Sequence, residues 1–481
     1  MQEDKPYKVS TFRKDFLWYF IGSMVPMLIG FVKTPIFTRH FDKASFGQLG
    51  LVSITFAFFG MVLFSWISSC LWRYFSRFKE SEELNILYTN LFVLFSSSLF
   101  VLAIISLTWH QSVDDQLIKD LILFSFIQLI FNQLFLGYMV VIRLTGRSGF
   151  YTIFHGLKSI LGLGLALLLV FCFDQGIVAL VSSLAIVDIV SVAILTLSNP
   201  AKFELDLRKI NRPVISQLLS YGSVGLILNL SLLSISYSDR YIIALYNDLE
   251  EVGIYDQVAK ISQLSIMALS TVYFNTINPA LLRRLESDFK GALAAMQLYM
   301  FPFILLGIPV VFYLALFSKD LASILLGEAF RGGYVMMPYI FLATFIHGFS
   351  NFFELRLKFS DQLKKLGLIA VLTALVNISL NLILVNRFGY QWAAYTTLIS
   401  YIFMLTLLYI NDKPLLRISK EERRVFYKIV VLLSCQFLVY FVIAEQTKFQ
   451  LGFRLSLGLV FLLTYFLIFR KSILNINLPA N

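Results

Sequence analysis

The chain has 481 residues, 58% of them hydrophobic and only 14% charged, against about 25% charged in soluble domains. That balance leaves little polar sequence for a soluble catalytic domain. The formal net charge of +11 sits mostly in short loops, which points to a membrane face and away from nucleic acid.

Taken in chain order, apolar runs long enough to cross a bilayer (roughly 20 residues) cover residues 16–37, 49–72, 85–108, 117–142, 149–171, 176–197, 214–236, 254–280, 292–317, 334–356, 366–386, 389–410, 425–444 and 450–469. These fourteen predict an all-α polytopic membrane protein. The pairs 214–236/254–280 and 366–386/389–410 have unclear ends, so twelve is the alternative count. Lys5, Lys8, Arg13 and Lys14 precede the first run. The run is too long for a signal-peptide core and no small-residue cleavage site follows, so it reads as an uncleaved helix. Cys70, Cys172 and Cys435 lie in or beside apolar runs with no pair spacing and read as packing residues.

Lys and Arg alternate by side. One phase holds loops 1–15, 73–84, 143–147, 198–213, 281–291, 356–365, 412–424 and 470–481. It carries about three times as many cations as the other, which is the positive-inside pattern. Both termini are therefore expected in the cytoplasm. Trp18, Tyr19, Trp66, Trp72, Tyr74, Trp109 and Trp392 stand near span ends, as interfacial anchors do.

A weak internal repeat is present. Gly22-Ser23, Arg39 and Phe46-Gly47 mark the first two runs; Gly222-Ser223, Asp239-Arg240 and Val252-Gly253 mark the seventh and eighth. The polar, basic stretch between them divides the chain. The expected domains are a six-helix lobe 1–198, a cytoplasmic linker 199–213, a second six-helix lobe 214–411 and an additional helix pair 412–481. Such repeats are typical of transporters, with the substrate site between the halves.

Some of these residues resemble a known family. Ser238-Asp239-Arg240-Tyr241 followed by Glu251-Val252-Gly253-Ile254-Tyr255 resembles a signature of the Wzx-type polysaccharide and O-antigen flippases. So do Phe46-Gly47, Arg73-Tyr74-Phe75, and Asn377-Ile378-Ser379-Leu380-Asn381 with Gly389, Ala393, Ala394, Thr396 and Thr397. The chain departs from the family pattern at Val385-Asn386-Arg387, where a Pro usually precedes the glycine turn, and in its last two spans. The resemblance implies two pseudo-symmetric lobes in a V-shaped bundle within the superfamily of multidrug and toxin extruders. It also implies movement of undecaprenyl-pyrophosphate-linked oligosaccharide across the inner membrane by alternating access, with reset by H+ or Na+. Docking with the pathway's polymerase is left open, and a monomer is the default expectation. A drug or metabolite antiporter of the same superfamily is the alternative; a membrane polymerase would need a large outer loop that is missing.

Ionisable side chains inside spans are expensive and usually face an interior or a wet cavity. Lys158, with His155 one turn earlier, reads as a cationic wall for a pyrophosphate or acidic sugar, or as an ion pair with Asp188. Lys33 either snorkels to the interface or faces the cavity. Arg39 and Arg240 hold matching repeat positions at the outer rim, where Asp239-Arg240 would also lock the end of the seventh helix. Asp256 and Lys260 have the spacing of a local helix pair or of a cavity relay. These six cations and histidines (Lys158, Lys33, Arg39, Arg240, Lys260, His155) are the substrate-binding candidates. Asp188, Asp256 and His347 are the ion-coupling candidates, His347 because a histidine can take up a proton near neutral pH. Glu354, Arg356 and Lys358 read as interfacial, and Asn377 and Asn381 as bonds from helix to helix. No Gly-rich phosphate loop, metal-ligand spacing or catalytic constellation is present; neither enzyme activity nor a cofactor is expected.

Overall fold

The computed structural model describes residues 9–200, 203–287, 289–360, 362–416, 419–446 and 451–474; the predicted basic positions Lys5 and Lys8 lie outside them. Every regular element among the described residues is helical. The α-helices are α1 (Val9–Thr38), α2 (Lys43–Leu63), α3 (Ser65–Glu80), α4 (Leu84–Ser112), α5 (Gln116–Leu144), α6 (Ser148–Phe171), α7 (Ala179–Ser198), α8 (Arg212–Tyr246), α9 (Leu249–Ser287), α10 (Phe289–Leu316), α11 (Ser318–Leu325), α12 (Met337–Phe359), α13 (Leu363–Phe388), α14 (Trp392–Asn411), α15 (Lys420–Gln446) and α16 (Leu451–Leu474). In lipid each backbone N–H and C=O must be bonded within its own segment, and long apolar helices meet that demand. Among the described residues eleven segments are long and apolar enough to span, which makes this a multi-pass membrane protein.

The sixteen helices relate simply to the fourteen expected spans. The second span is interrupted: α2 ends at Phe64, whose ψ of −27° with φ −128° leaves the helix, and α3 resumes at Ser65. The short α11 has eight residues and crosses nothing. The other long helices coincide with the expected runs, but α1, α8 and α9 are not among the eleven spanning segments found in the described residues, and two differ in length. α8 has 35 residues and α9 has 39, about 52 and 58 Å of helix at 1.5 Å per residue. Asp239 and Arg240 therefore stand inside α8 and do not follow it. The helix continues because their charges find partners within the fold, so the polar pair gives the backbone no reason to stop.

The chain packs as two compact units, Met1–Asp256 and Gln257–Asn481. In the first, α5 packs on α7, α1 on α6, α2 on α5, and α8 on α2, α3 and α4. The polar linker is docked here. Asn90 of α4 accepts from the Asn211 N–H at 2.8 Å and donates to the Lys209 carbonyl at 3.1 Å, while Thr89 accepts from the Asp206 N–H at 3.0 Å.

In the second unit α12 packs on α14 and α10, and α13 on α14. In its core Phe303 stacks on Phe345 and Phe349 and meets Phe352 edge to face. The last two helices are bonded to α10. Tyr313 donates to Gln436 Oε1 at 2.8 Å, Gln436 donates to the Phe461 carbonyl at 3.2 Å, and Tyr465 donates to the Leu305 carbonyl at 2.7 Å. Gly389 ends α13 with φ +88°, a backbone region that belongs essentially to glycine.

Candidate functional site: a cavity and a buried ion pair in the first unit

One face of α5 interrupts its own apolar pattern. Ser125, Gln128, Leu129, Asn132, Gln133 and Leu136 recur at spacings of three and four, which places them on one stripe. Opposite lie Ser53, Phe56, Gly60, Ser65 and Ser68 of α2 and α3, with Val181 and Leu184 of α7 closing the end. Together they line a cavity of about 540 Å³. Gly60 keeps it open toward α5, because a Cβ there would lie 2.9 Å from Leu129 Cδ1 and 3.3 Å from Gln133 Nε2. No charged side chain is among the lining residues. Ser125 is 3% exposed, and its hydroxyl has no hydrogen-bond partner among the described residues.

Behind the stripe stands the strongest charge feature of this unit. Lys158 of α6 is ion-paired with Asp188 of α7, which is fully buried. The pair is held by the two amides of α5. Gln128 Nε2 donates to Asp188 Oδ2 at 3.1 Å, and Lys158 Nζ donates to Asn132 Oδ1 at 3.0 Å. The ammonium also lies 3.9 Å from the centre of the Phe135 ring, a favourable cation–π position. His155 packs between Tyr151 and Phe135, with ring centres at 5.6 and 5.9 Å. Lys158 and Asp188 are thus brought together, and Lys158 is already engaged.

Other candidates fall elsewhere. Arg240, 1% exposed, donates to Asp239 Oδ1 at 2.8 Å and to the Ser236 carbonyl at 2.6 Å, and its Nε lies 3.6 Å from Asp256. Tyr255 bonds Asp239 and also faces the guanidinium, 5.0 Å away. Asp256 is therefore turned to Arg240 across two helices, while Lys260 is exposed. Lys33 is half-buried. Arg39 is exposed and folds back on the Pro35 carbonyl at 2.8 Å.

In the second unit His347 stacks on Tyr401 at 4.8 Å. Lys358 pairs with Glu354 at 3.0 Å, and Arg356 pairs with Asp412. Asn377 donates to Ser400 and Asn381 donates to Asn377, both at 3.2 Å, and Thr396 donates to Asn381 at 2.5 Å. This chain of bonds ties α13 to α14.

Sequence reasoning missed Ser125, Gln128, Asn132 and Gln133. Their signal was a helical stripe of neutral polar residues in an apolar run, quieter than any charge.

The fold is a multi-helix membrane bundle, and solved structures share it. The structure of the lipid II flippase MurJ in an inward closed conformation matches with a TM-score of 0.72 at 15% identity, covering 95% of this chain and 99% of that one. An inward-facing MATE-family multidrug resistance transporter of the MOP superfamily matches at 0.60 and 12% identity, over 83% and 95%. A mutant form of the Vibrio cholerae MATE transporter VcmN matches at 0.53 and 14% identity, over 83% and 95%. No curated protein matches in sequence. The model of the polysaccharide biosynthesis protein family matches residues 12–284, more than half of the chain, and the chain belongs to that family. The resemblance carried by Ser238–Tyr241 and Phe46-Gly47 agrees with it.

Proposed function

We propose that the chain is a flippase. It carries undecaprenyl-pyrophosphate-linked oligosaccharide units across the bacterial inner membrane for surface polysaccharide assembly (O-antigen, capsule or exopolysaccharide), by alternating access between the repeat halves 1–198 and 214–411. The observation that carries this reading is the cavity of about 540 Å³, uncharged and lined in part by hydroxyls and amides, within the residues that the polysaccharide family model matches. Its size is that of a ligand site, and its hydroxyls and amides suit a glycan. The prenyl tail stays in lipid while the head crosses.

The multidrug antiporter is the weaker reading. A cationic drug calls for a carboxylate in the cavity, and Asp188 is turned to Lys158 behind the lining amides. For coupling to H+ or Na+ we favour Asp256, since Arg240 keeps Asp239 as a partner when Asp256 is neutralised.

The test is the leaflet distribution of lipid-linked glycan in cells lacking the protein and in cells with it restored. Accumulation on the cytoplasmic leaflet, cleared on restoration, is the expected result. Normal flipping with unpolymerised glycan points to a polymerase; an unaffected glycan pool returns the question to small-molecule efflux.

A further inference from the structure

The ion pair fixes what the cavity can recognise. Gln128 spends its amide nitrogen on Asp188, and Asn132 spends its amide oxygen on Lys158. An amide so held cannot flip without exchanging a donor for an acceptor against a charge. Both residues line the cavity. What faces a ligand is the wholly unused Gln128 carbonyl oxygen and Asn132 NH2, one turn apart on α5, beside the second N–H of Gln128 and the second lone pair of Asn132. Ser125 adds a buried hydroxyl with no partner among the described residues, Gln133, Ser53 and Ser68 add further polar groups, and Ser65, which donates to the Met61 carbonyl, adds an acceptor. Leaving such groups unsatisfied in an apolar surround costs about 1–3 kcal/mol each, so a ligand that satisfies them is strongly favoured over an apolar one.

We infer that this cavity is a subsite for an uncharged sugar ring. Neighbouring ring hydroxyls are donor and acceptor at once, and they match the fixed acceptor and donor of Gln128 and Asn132. Phe56 and Leu129 flank the ring's apolar faces. A carboxylated or phosphorylated sugar is disfavoured, because no cation is among the lining residues and Lys158 behind them is engaged by Asp188 and Asn132. Lys158 and Asp188 are positioning residues here and do not touch the sugar. The inference deepens the flippase reading and rests on it.

The test uses the purified full chain in lipid nanodiscs and equilibrium dialysis with two matched probes, 4-nitrophenyl β-D-glucoside and 4-nitrophenyl β-D-glucuronide. The glucoside is expected to bind in the millimolar range, and the glucuronide at least about tenfold more weakly. Ser125→Ala, which deletes only an unbonded hydroxyl, and Asn132→Val each weaken the glucoside by about tenfold, with the thermal melt as the folding control. Lys158→Met combined with Asp188→Leu leaves the cavity lining intact but frees both amides, and weakens the glucoside too. A glucuronide preference that Lys158→Met abolishes overturns the inference: Lys158 then reads the ligand directly. Equal binding of both probes, or binding of neither, also overturns it. The flippase reading is decided separately by the leaflet measurement, so a chain that flips glycan without this selectivity loses only the subsite.

Discussion

Lys158 and Asp188 show how a charge in an apolar helix is tolerated. Removing one partner of a buried pair strands the other charge and costs about 3–5 kcal/mol, whereas replacing both by apolar residues of similar volume is often neutral. Lys158→Ala and Asp188→Ala are each expected to lower membrane abundance and the melting temperature; Lys158→Met with Asp188→Leu is expected to recover much of both. If Lys158→Ala leaves abundance and melting unchanged, the pair is not the anchor that its burial implies. A second residue-scale effect lies outside the membrane. Asp42 caps α2, its carboxylate accepting from the Ser45 N–H at 2.8 Å, and this backbone bond holds its pKa below the ordinary value. A depressed pKa contributes stability above the unfolded-state value and loses it as pH falls through the folded one. Asp42→Asn should therefore melt with a flatter pH dependence in the acid range, while Asp42→Ala loses about 1 kcal/mol at neutral pH. Charges such as Lys158 and its partner Asp188 were legible because they stand out in apolar runs. Gln128 and Asn132 were not, since neutral amides carry no such mark until their contacts are known.

Helix crossings were only half legible. Phe46-Gly47 and Val252-Gly253 stand out as repeated small-residue positions, but nothing in the sequence says that they meet each other. They do. A Cβ on Gly47 would lie 2.0 Å from the Leu249 carbonyl oxygen, and one on Gly253 would lie 2.0 Å from the Lys43 carbonyl oxygen. Each glycine meets the carbonyl four residues before the other, so α2 and the start of α9 cross with backbone against backbone. Lys43 and Glu250 pair beside the crossing at 2.5 Å, though their exposure makes that bond worth little. The backbone cannot yield as a side-chain tip would. Gly47→Ala or Gly253→Ala should therefore cost about 1–3 kcal/mol, read as a lower melting temperature. Gly137 is the internal contrast. It lies within α5 with nothing within 4 Å of its added Cβ, and Gly137→Ala should gain up to about 1 kcal/mol. If all three substitutions behave alike, the crossing is looser than its geometry. The break between α2 and α3 was illegible for a related reason: Phe64 is neither Gly nor Pro, and tertiary packing imposes the turn.

For the whole molecule, hydropathy and run length carried the succession of helices, because lipid makes span length and polar satisfaction nearly obligatory. They overlooked only features that leave mean hydropathy unchanged: the interrupted second span, the extra turns of α8 and α9, and the docked linker. Sidedness rests on parity. Each span inverts the next loop, so the excess of cations in alternate loops predicts the α5–α6 connection in the cytoplasm and the α6–α7 connection outside. The chain carries its own reporter. Cys172 is exposed at the end of α6, whereas Cys70 is buried and Cys435 lies within α15, in an apolar segment. In spheroplasts a membrane-impermeant maleimide should label Cys172 directly. A Thr145→Cys, Cys172→Ser chain should label only after lysis, since residue 145 lies in the α5–α6 connection. Labelling of position 145 from outside would mean either an odd number of crossings ahead of it or an N-terminus outside, where the loop charges assign an even number and a cytoplasmic N-terminus. It would invert every later loop, and with it the direction in which the proposed flippase presents its cavity.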